Sequence, residues 1–180
     1  MLTAAQIHQA QQRATQMLAD AQIVLTEAEQ NNIEVCDYEL GDLNRIGTEI
    51  VIYVNTARTC AKELIMFPGQ ICPEHLHPQI GDYPGKEETF RCRWGEVYLY
   101  VPGDAASNPR GNVPEERREH FTVWHEIVLK PGEQYTLKEK TRHWFQAGPG
   151  GAIISEFSTQ SFDKLDIFTD PEIQRISNLG

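Results

Sequence analysis

Basic residues are scarce in this chain. Lysine and arginine together number 16 against 26 aspartates and glutamates, so the formal net charge is -10. Proteins that bind nucleic acids need clustered basic side chains for the phosphates, and this composition argues against such a partner. No apolar run approaches the ~20 residues that a membrane helix requires. We therefore expect neither a nucleic-acid partner nor a membrane partner.

The chain also lacks paired cysteines and a secretion signal. The first residues show no basic stretch followed by a continuous apolar run. The four cysteines are widely spaced and form no CxxC pair: Cys36, Cys60, Cys72 and Cys92. This usage predicts reduced thiols rather than disulfides, and a cytoplasmic protein.

A length of 180 residues, 40% of them hydrophobic, suits one compact domain and is short for two. We expect a single domain over 1–180. Its parts are an N-terminal helical cover (1–32), a barrel (33–161) and a C-terminal tail (162–180). The tail is expected to end in a short helix.

The N-terminal segment has the pattern of an amphipathic helix. Thr3 and Gln6 form a capping box, and Thr26 with Glu29 predicts a second, short helix. Between them, apolar residues recur at helical spacing: Ile7, Ala10, Ala14, Met17, Leu18, Ala21 and either Val24 or Leu25. This stripe is expected to cover an apolar surface elsewhere in the protein.

From Ile33 onward the sequence changes to short runs rich in Val, Ile, Tyr, Phe and Thr, separated by Gly and Pro. Many short strands without intervening helical periods predict an all-β antiparallel sandwich or barrel. A polar loop is expected at 102–118. Strands are predicted near 33–39, 49–55, 60–67, 71–77, 87–101, 121–129, 134–138 and 151–158.

The strongest chemical signal is a pair of histidines. His75 and His77 lie two positions apart on a predicted strand and so point to one face, where they can share a divalent ion. For this pair alone, a chance occurrence on a surface loop is the alternative. The wider spacing, from Gly69 through both histidines to Glu88 and Gly95, resembles the first motif of the cupin superfamily, G(x)5HxH…E(x)6G.

One departure from that motif affects the carboxylate. Ten residues separate His77 from Glu88, where the usual motif has three or four, and the excess includes a turn at 81–85. Glu87 competes for the ligand role. Only Glu88 keeps six residues before Gly95, so Glu88 is the predicted ligand and Glu87 is expected on the opposite face.

Cupins take a fourth ligand from a second motif, and here His143 follows His77 by 66 residues. The usual PxG before this histidine and the Asn after it are missing. His120 and His125 are alternatives, whose ordinary interpretation is surface or strand-edge residues. Three histidines and one carboxylate suit Mn2+, Fe2+, Zn2+, Co2+ or Ni2+.

At these residues the sequence resembles one family in particular, the cupin-type D-lyxose isomerases. The stretches that carry the resemblance are 53–63, 72–78 and 85–101, within a similarity over roughly 30–170. It implies a jelly-roll type cupin barrel and a homodimer. It also implies metal dependence, usually on Mn2+, and interconversion of D-lyxose with D-xylulose, often also of D-mannose with D-fructose.

The resemblance also implies roles for individual residues. The metal ligands fall on His75, His77, Glu88 and His143, and the catalytic residues on Lys86, Glu156 and Asp170. Asp163 and Asp166 are alternatives to Asp170. In aldose–ketose isomerisation, a carboxylate moves a proton between carbons and a lysine stabilises the developing oxyanion, although a hydride shift is also open.

Four aromatic residues either wall a sugar pocket or fill the barrel core: Phe90, Trp94, Trp144 and Phe145. Alternative functions are a cupin phosphosugar isomerase, a non-catalytic metal- or sugar-binding cupin, and an oxygen-consuming dioxygenase. The dioxygenase leaves Lys86 and Glu156 without a role.

Overall fold

A computed structural model describes residues 2–176. In this part of the chain, two helices precede a curled sheet in which every pair of strands is antiparallel, which confirms the predicted all-β class with an N-terminal helical segment. The elements are α1 (Ala4–Asp20), α2 (Glu27–Asn31), β1 (Glu34–Cys36), β2 (Thr48–Asn55), β3 (Cys60–Met66), β4 (Ile71–Leu76), β5 (Glu88–Val101), β6 (His125–Leu129), β7 (Gln134–Leu137), β8 (His143–Ser158) and β9 (Ile167–Phe168). Neither helix is long and apolar enough to cross a membrane.

Both predicted capping boxes are present, at Thr3 with Gln6 and at Thr26 with Glu29. The apolar stripe of α1 packs against the outer face of the sheet. The hydrophobic core between them is called the outer core below. The last member of the stripe was predicted to be either Val24 or Leu25, and it is Leu25, which is buried, whereas Val24 is 91% exposed. This core contains Ala10, Ala14, Leu18, Leu25, Ile33, Val35, Val51, Ile65, Phe67 and Ile153.

Strand β8 organises the sheet. It pairs with β5 on one side, and on the other side its partner changes from β4 to β3. The strand predicted at 151–158 is therefore too short, because β8 begins at His143. Residues 148–151, a Gly-Pro-Gly-Gly sequence, form a bulge opposite Glu96 alone, so the chain continues as a strand where a turn was predicted.

The motif glycine Gly95 lies at this bulge. Its φ of 73° is in the left-handed region, and a Cβ there would lie 2.0 Å from the carbonyl oxygen of Gly151. Only glycine permits this approach of β5 to β8. The motif spacing that selected Glu88 therefore has a structural cause. It fixes the distance along β5 from Glu88 to Gly95, and Gly95 marks the place where β5 and β8 bend together.

Other boundaries differ modestly from the prediction. The strand expected at 121–129 begins at His125, and a 3-10 helix, Glu115–His120, begins inside the predicted loop. The tail contains a 3-10 helix, Asp163–Leu165, and β9, while 171–176 form a turn and irregular chain. A terminal helix beyond that point lies outside the described residues. All four cysteines are free and buried, as predicted.

A buried carboxyl beneath α1 makes stability depend on pH. Glu49 pairs with Val35 and Ile65 of the outer core. Burial raises the pKa of Glu49 to about 8 from 4.5, against the hydrogen bond from Gln70. The unfolded chain ionises near 4.5 while the folded chain retains the proton, so the free energy of unfolding falls as pH rises from about 4.5 to about 8.

We expect Glu49→Gln to remove this decline, whose steepest slope is about 1.4 kcal/mol per pH unit. Urea unfolding of both proteins at pH 5, 6.5 and 8 measures it. The exposed change Glu119→Gln is the control and should keep the wild-type slope. The same pH dependence in wild type and Glu49→Gln would contradict the buried, protonated carboxyl.

Candidate metal centre

Side chains from five strands meet inside the curl of the sheet. Alternate positions of β2, β3 and β5 point inward because the side-chain period of a strand is two. The bulge at 148–151 reverses the phase of β8, so that His143 before it, which meets Glu88, and Glu156 after it, which lines the pocket, both face inward. The pocket is lined on these strands by Thr48, Ile50, Lys62, Leu64, Cys72, His75, Glu88, Phe90, Phe145 and Glu156.

Strand β4 contains a second change of phase. Its register with β8 shifts between Cys72 and His75, and both of these residues line the pocket. Glu74 is thereby directed to the other side of the strand. His77 follows immediately after β4 and lines the same pocket.

The three histidines of the predicted ligand set are brought together. One ring nitrogen from each of His75, His77 and His143 lies within 4.8 Å of the others, and all three residues are buried. Nδ1 of His75 lies 2.8 Å from the Pro73 carbonyl, and Nδ1 of His143 lies 2.9 Å from the Thr141 carbonyl. Because a carbonyl only accepts, these Nδ1 atoms carry the protons, and the Nε2 lone pairs face inward.

The carboxylate of Glu88 completes the cluster. Its Oε1 lies 3.0 Å from Nε2 of His77 and 3.1 Å from Nε2 of His143. Nε2 of His143 is buried and, among the described residues, lacks a hydrogen-bond donor. A lone pair that faces a carboxylate oxygen is unfavourable unless a cation lies between them. The donor set therefore fits a divalent metal ion.

The outer partner of His77 has the form expected of a metal ligand. Its Nδ1 lies 2.6 Å from Oδ1 of Asp166, and a carboxylate behind a ligating imidazole fixes the ring and strengthens it as a donor. Burial and Lys86 act to lower the pKa of His77, yet Glu88 and Asp166 raise it to about 9. Burial and the neighbouring imidazoles hold the pKa of His75 well below its usual value.

Next to the cluster lies a buried lysine between two carboxylates. Nζ of Lys86 is 2.7 Å from Oε2 of Glu88 and 3.0 Å from Oε1 of Glu156. Burial opposes its charge, but the two carboxylates raise the pKa of Lys86 well above its usual value. Lys86 is therefore an ammonium group that joins the predicted metal ligand to the predicted proton carrier. Glu87 is exposed, as expected for the opposite face.

The structure adds a second lysine that sequence reasoning missed. Nζ of Lys62 lies 2.7 and 2.9 Å from the two carboxylate oxygens of Asp163 and 3.9 Å from Oε1 of Glu156. A signal was present, since Lys62 alternates with Cys60 and Leu64 along an apolar strand. Arg175 also lines the pocket and ion-pairs with Glu34.

Asp170 does not reach this pocket. Its carboxylate lies 2.5 Å from Nη1 of Arg117. The two alternatives, Asp163 and Asp166, both line the pocket. Among the three aspartates, the structure therefore brings Asp163 and Asp166 to the pocket, while Asp170 follows β9 and pairs with Arg117.

The two alternatives to His143, His120 and His125, lie outside the pocket. Of the four aromatic residues, Phe90 and Phe145 line the pocket, whereas Trp144 stacks on Tyr100 in the core and Trp94 packs against the outer core.

The chain was compared with known proteins. A family model described as D-lyxose isomerase matches residues 9–180. The D-lyxose ketol-isomerase of Thermofilum sp. (strain ex4484_79) is 60% identical over 179 residues, covering 99% of each chain. The D-lyxose/D-mannose isomerase of Thermosediminibacter oceani is 53% identical over 179 residues, with the same coverage.

Among solved structures, the L-ribose isomerase of Cellulomonas parahominis, with no ligand, matches with a TM-score of 0.78 at 16% identity. The match covers 98% of this chain and 96% of that one. At this identity the likeness shows the fold alone, and it supports the predicted cupin-like fold, a curled antiparallel sheet with an N-terminal helix.

The buried pair of Lys62 and Asp163 yields a stability prediction. Replacing Lys62 by Met leaves Asp163 beside the pocket without its closest cation. We expect a loss of about 3 kcal/mol, the lower end of the range for breaking a buried pair, because Asp163 is partly exposed. Guanidinium unfolding measures the loss, and adding Asp163→Asn should restore part of it. A further loss in the double variant would contradict the assigned pairing.

Proposed function

The chain belongs to the D-lyxose isomerase family, and from that premise we propose that it converts D-lyxose to D-xylulose and back as a metal-dependent aldose–ketose isomerase. One observation carries the proposal: a buried carboxylate set against the ring nitrogens of two imidazoles, with a Lys86–Glu156 pair in the same pocket. The relative named D-lyxose/D-mannose isomerase supports a second reaction, between D-mannose and D-fructose.

The residues that would hold the metal are His75, His77, His143 and Glu88. We propose Mn2+ as the ion, with Zn2+, Co2+, Fe2+ and Ni2+ as alternatives that suit the same nitrogen and oxygen donors. A divalent cation here would polarise the two sugar oxygens O1 and O2 and acidify the proton on C2.

Glu156 is the proposed proton carrier. Its carboxylate takes the proton from C2 of the open-chain aldose, and the electrons of the broken C–H bond form a C1–C2 double bond while O1 gains charge. The same proton is returned to C1, and the proton of the O2 hydroxyl passes to O1, which gives the ketose. Lys62 and Lys86, at 3.9 and 3.0 Å from Oε1 of Glu156, hold this carboxylate in place.

Lys86 is the proposed electrostatic partner of the reacting oxygen. Because its pKa is well above the usual value, it is charged when the enediol forms and can donate to the developing oxyanion. Its burial matters because water would weaken that interaction.

A free sugar is favoured over a phosphorylated one. The three cations that line the pocket already pair with carboxylates: Lys62 with Asp163, Lys86 with Glu88 and Glu156, and Arg175 with Glu34. A phosphate would have to displace one of those carboxylates. A non-catalytic binding protein is disfavoured because it would have no use for the buried Lys86–Glu156 pair.

We further propose a cytoplasmic homodimer. The free, buried cysteines favour a reducing compartment. For the dimer, the outer face beyond α1 carries Phe157, 50% exposed, and Tyr53, 43% exposed, beside Arg93 and Glu63. Aromatic residues with charges of both signs suit a two-fold contact between identical patches.

Phe157→Glu should convert the dimer to a monomer, because each copy would place a charge opposite its counterpart. Sedimentation velocity measures the change. Val24→Glu, at an apolar position that is 91% exposed between α1 and α2, is the matched control and should stay dimeric. A monomeric wild type, or a dimeric Phe157→Glu variant, would contradict this interface.

The proposed activity is tested with metal-stripped protein and D-lyxose. We expect no ketose without metal and D-xylulose once Mn2+, Zn2+ or Co2+ is restored, with Mn2+ most active. Carbon-13 NMR of the sugar identifies the product. Ketose formation in the stripped protein, or none with any of the three ions, would contradict the proposal.

Two variants sharpen that experiment. Glu156→Gln keeps every proposed ligand but removes the proton carrier, so it should bind Mn2+ and lose at least about 100-fold in kcat, in line with general-base catalysis. Glu87→Gln changes an exposed carboxylate directly before β5 and should retain wild-type turnover. Full activity in Glu156→Gln would remove the assigned role.

A further inference from the structure

Glu74 is a buried carboxylate that the proposed reaction does not use. It directly precedes His75 but faces away from the pocket, and its side chain is 0% exposed. Backbone N–H groups and hydroxyls around it donate hydrogen bonds to both of its oxygens, so the position of this carboxylate is fixed.

One side-chain carboxylate here joins three separate segments. Its Oε2 accepts hydrogen bonds from the backbone N–H groups of Thr122 and Val123, at 2.5 and 3.0 Å. Its Oε1 accepts from the hydroxyls of Thr122 and Thr169, at 2.8 and 2.7 Å, with Arg142 at 3.6 Å. The backbone carbonyl of Glu74 also accepts from the N–H of Thr169 at 3.0 Å.

The segment fastened at Thr169 forms one wall of the metal cluster. Within it, Asp166 holds Nδ1 of His77, and Phe168 pairs with His75 across the β4–β9 ladder. The ring of Phe168 lies 5.4 Å from the ring of His75. Two of the three proposed histidine ligands are therefore oriented by residues 166–168.

That segment has little pairing of its own. β9 is only two residues long, and a pairing of this length is weak without side-chain support. Glu74 binds Thr169, the residue that follows β9, through both its side chain and its backbone carbonyl. Before this segment, Asp163 pairs with Lys62, and after it Asp170 pairs with Arg117.

We propose that Glu74 is a positioning residue of the metal centre. It holds residues 166–169 against β4, so that Asp166 and Phe168 keep the imidazoles of His77 and His75 aimed at the ion. The inference rests on the proposed metal site and assigns Glu74 no contact with the sugar.

A carboxylate suits this position better than an amide, because Glu74→Gln keeps the shape but has only one acceptor oxygen and no charge. If that oxygen accepts from the N–H groups of Thr122 and Val123, the NH2 group replaces the acceptor of the Thr122 and Thr169 hydroxyls and faces the guanidinium of Arg142. Partners behind metal ligands typically contribute 10- to 100-fold to metal affinity. We expect Glu74→Gln to weaken Mn2+ binding by about that factor although no ligand is changed.

The experiment measures Mn2+ affinity of the full chain by electron paramagnetic resonance of the free ion, at a temperature where circular dichroism shows each variant folded. Glu119→Gln, a carboxylate 82% exposed outside the pocket, is the matched control and should bind as wild type does. Thr169→Val removes the hydroxyl that donates to Glu74 and accepts from Arg142, and it keeps the backbone hydrogen bond between Thr169 and Glu74. It decides the question if Glu74→Gln does not fold.

A double variant separates positioning from general destabilisation. If Glu74 acts through Asp166 and Phe168, adding Glu74→Gln to Asp166→Asn should weaken Mn2+ binding by less than the sum of the two single losses. Hydrogen exchange should also quicken at residues 167–169. Unchanged affinity in Glu74→Gln or Thr169→Val, or additive losses in the double variant, would overturn the inference while the metal site stands. A wild type that binds no divalent ion would overturn both.

Discussion

A buried carboxylate that must be neutralised is the constraint around which this pocket is built. Glu88 lies away from water, and its two oxygens face imidazole nitrogens on one side and the ammonium group of Lys86 on the other. Burial raises the pKa of such a carboxyl, but Lys86 and His77 hold the pKa of Glu88 well below its usual range. A permanently ionised carboxylate beside three imidazoles is a ligand set for a divalent cation.

This arrangement depends on irregularities in the sheet, namely a bulge in β8 and a register shift in β4. A uniform strand would direct His143 and Glu156 to opposite faces, and the bulge at 148–151 brings both inward. The shift in β4 does the same for Cys72 and His75. It also directs Glu74 to the other side of the strand, where Glu74 contacts the segment 166–169. The functional groups therefore depend on where the strands bend, which explains why a glycine as confined as Gly95 belongs to the motif.

Sequence alone predicted the elements that rest on local rules. Capping boxes and apolar spacing placed α1, and the period of a strand put His75 with His77. The choice among Asp163, Asp166 and Asp170 stayed open because these three aspartates lie within eight residues of one another, and only the fold shows which of them line the pocket. Lys62 was missed because its partner Asp163 is 101 positions away. The start of β8 was missed because Gly-Pro-Gly-Gly is typical of a turn.

The net charge of -10 is consistent with this arrangement, since most carboxylates remain at the surface and a few lie inside against lysines and imidazoles. The central claim is that these buried groups hold a metal ion at Glu88. Anomalous diffraction from crystals of the protein grown with Mn2+ tests it most directly. The strongest manganese peak should lie between Glu88 and the Nε2 atoms of His75, His77 and His143. A peak elsewhere, or none in the pocket, would contradict it.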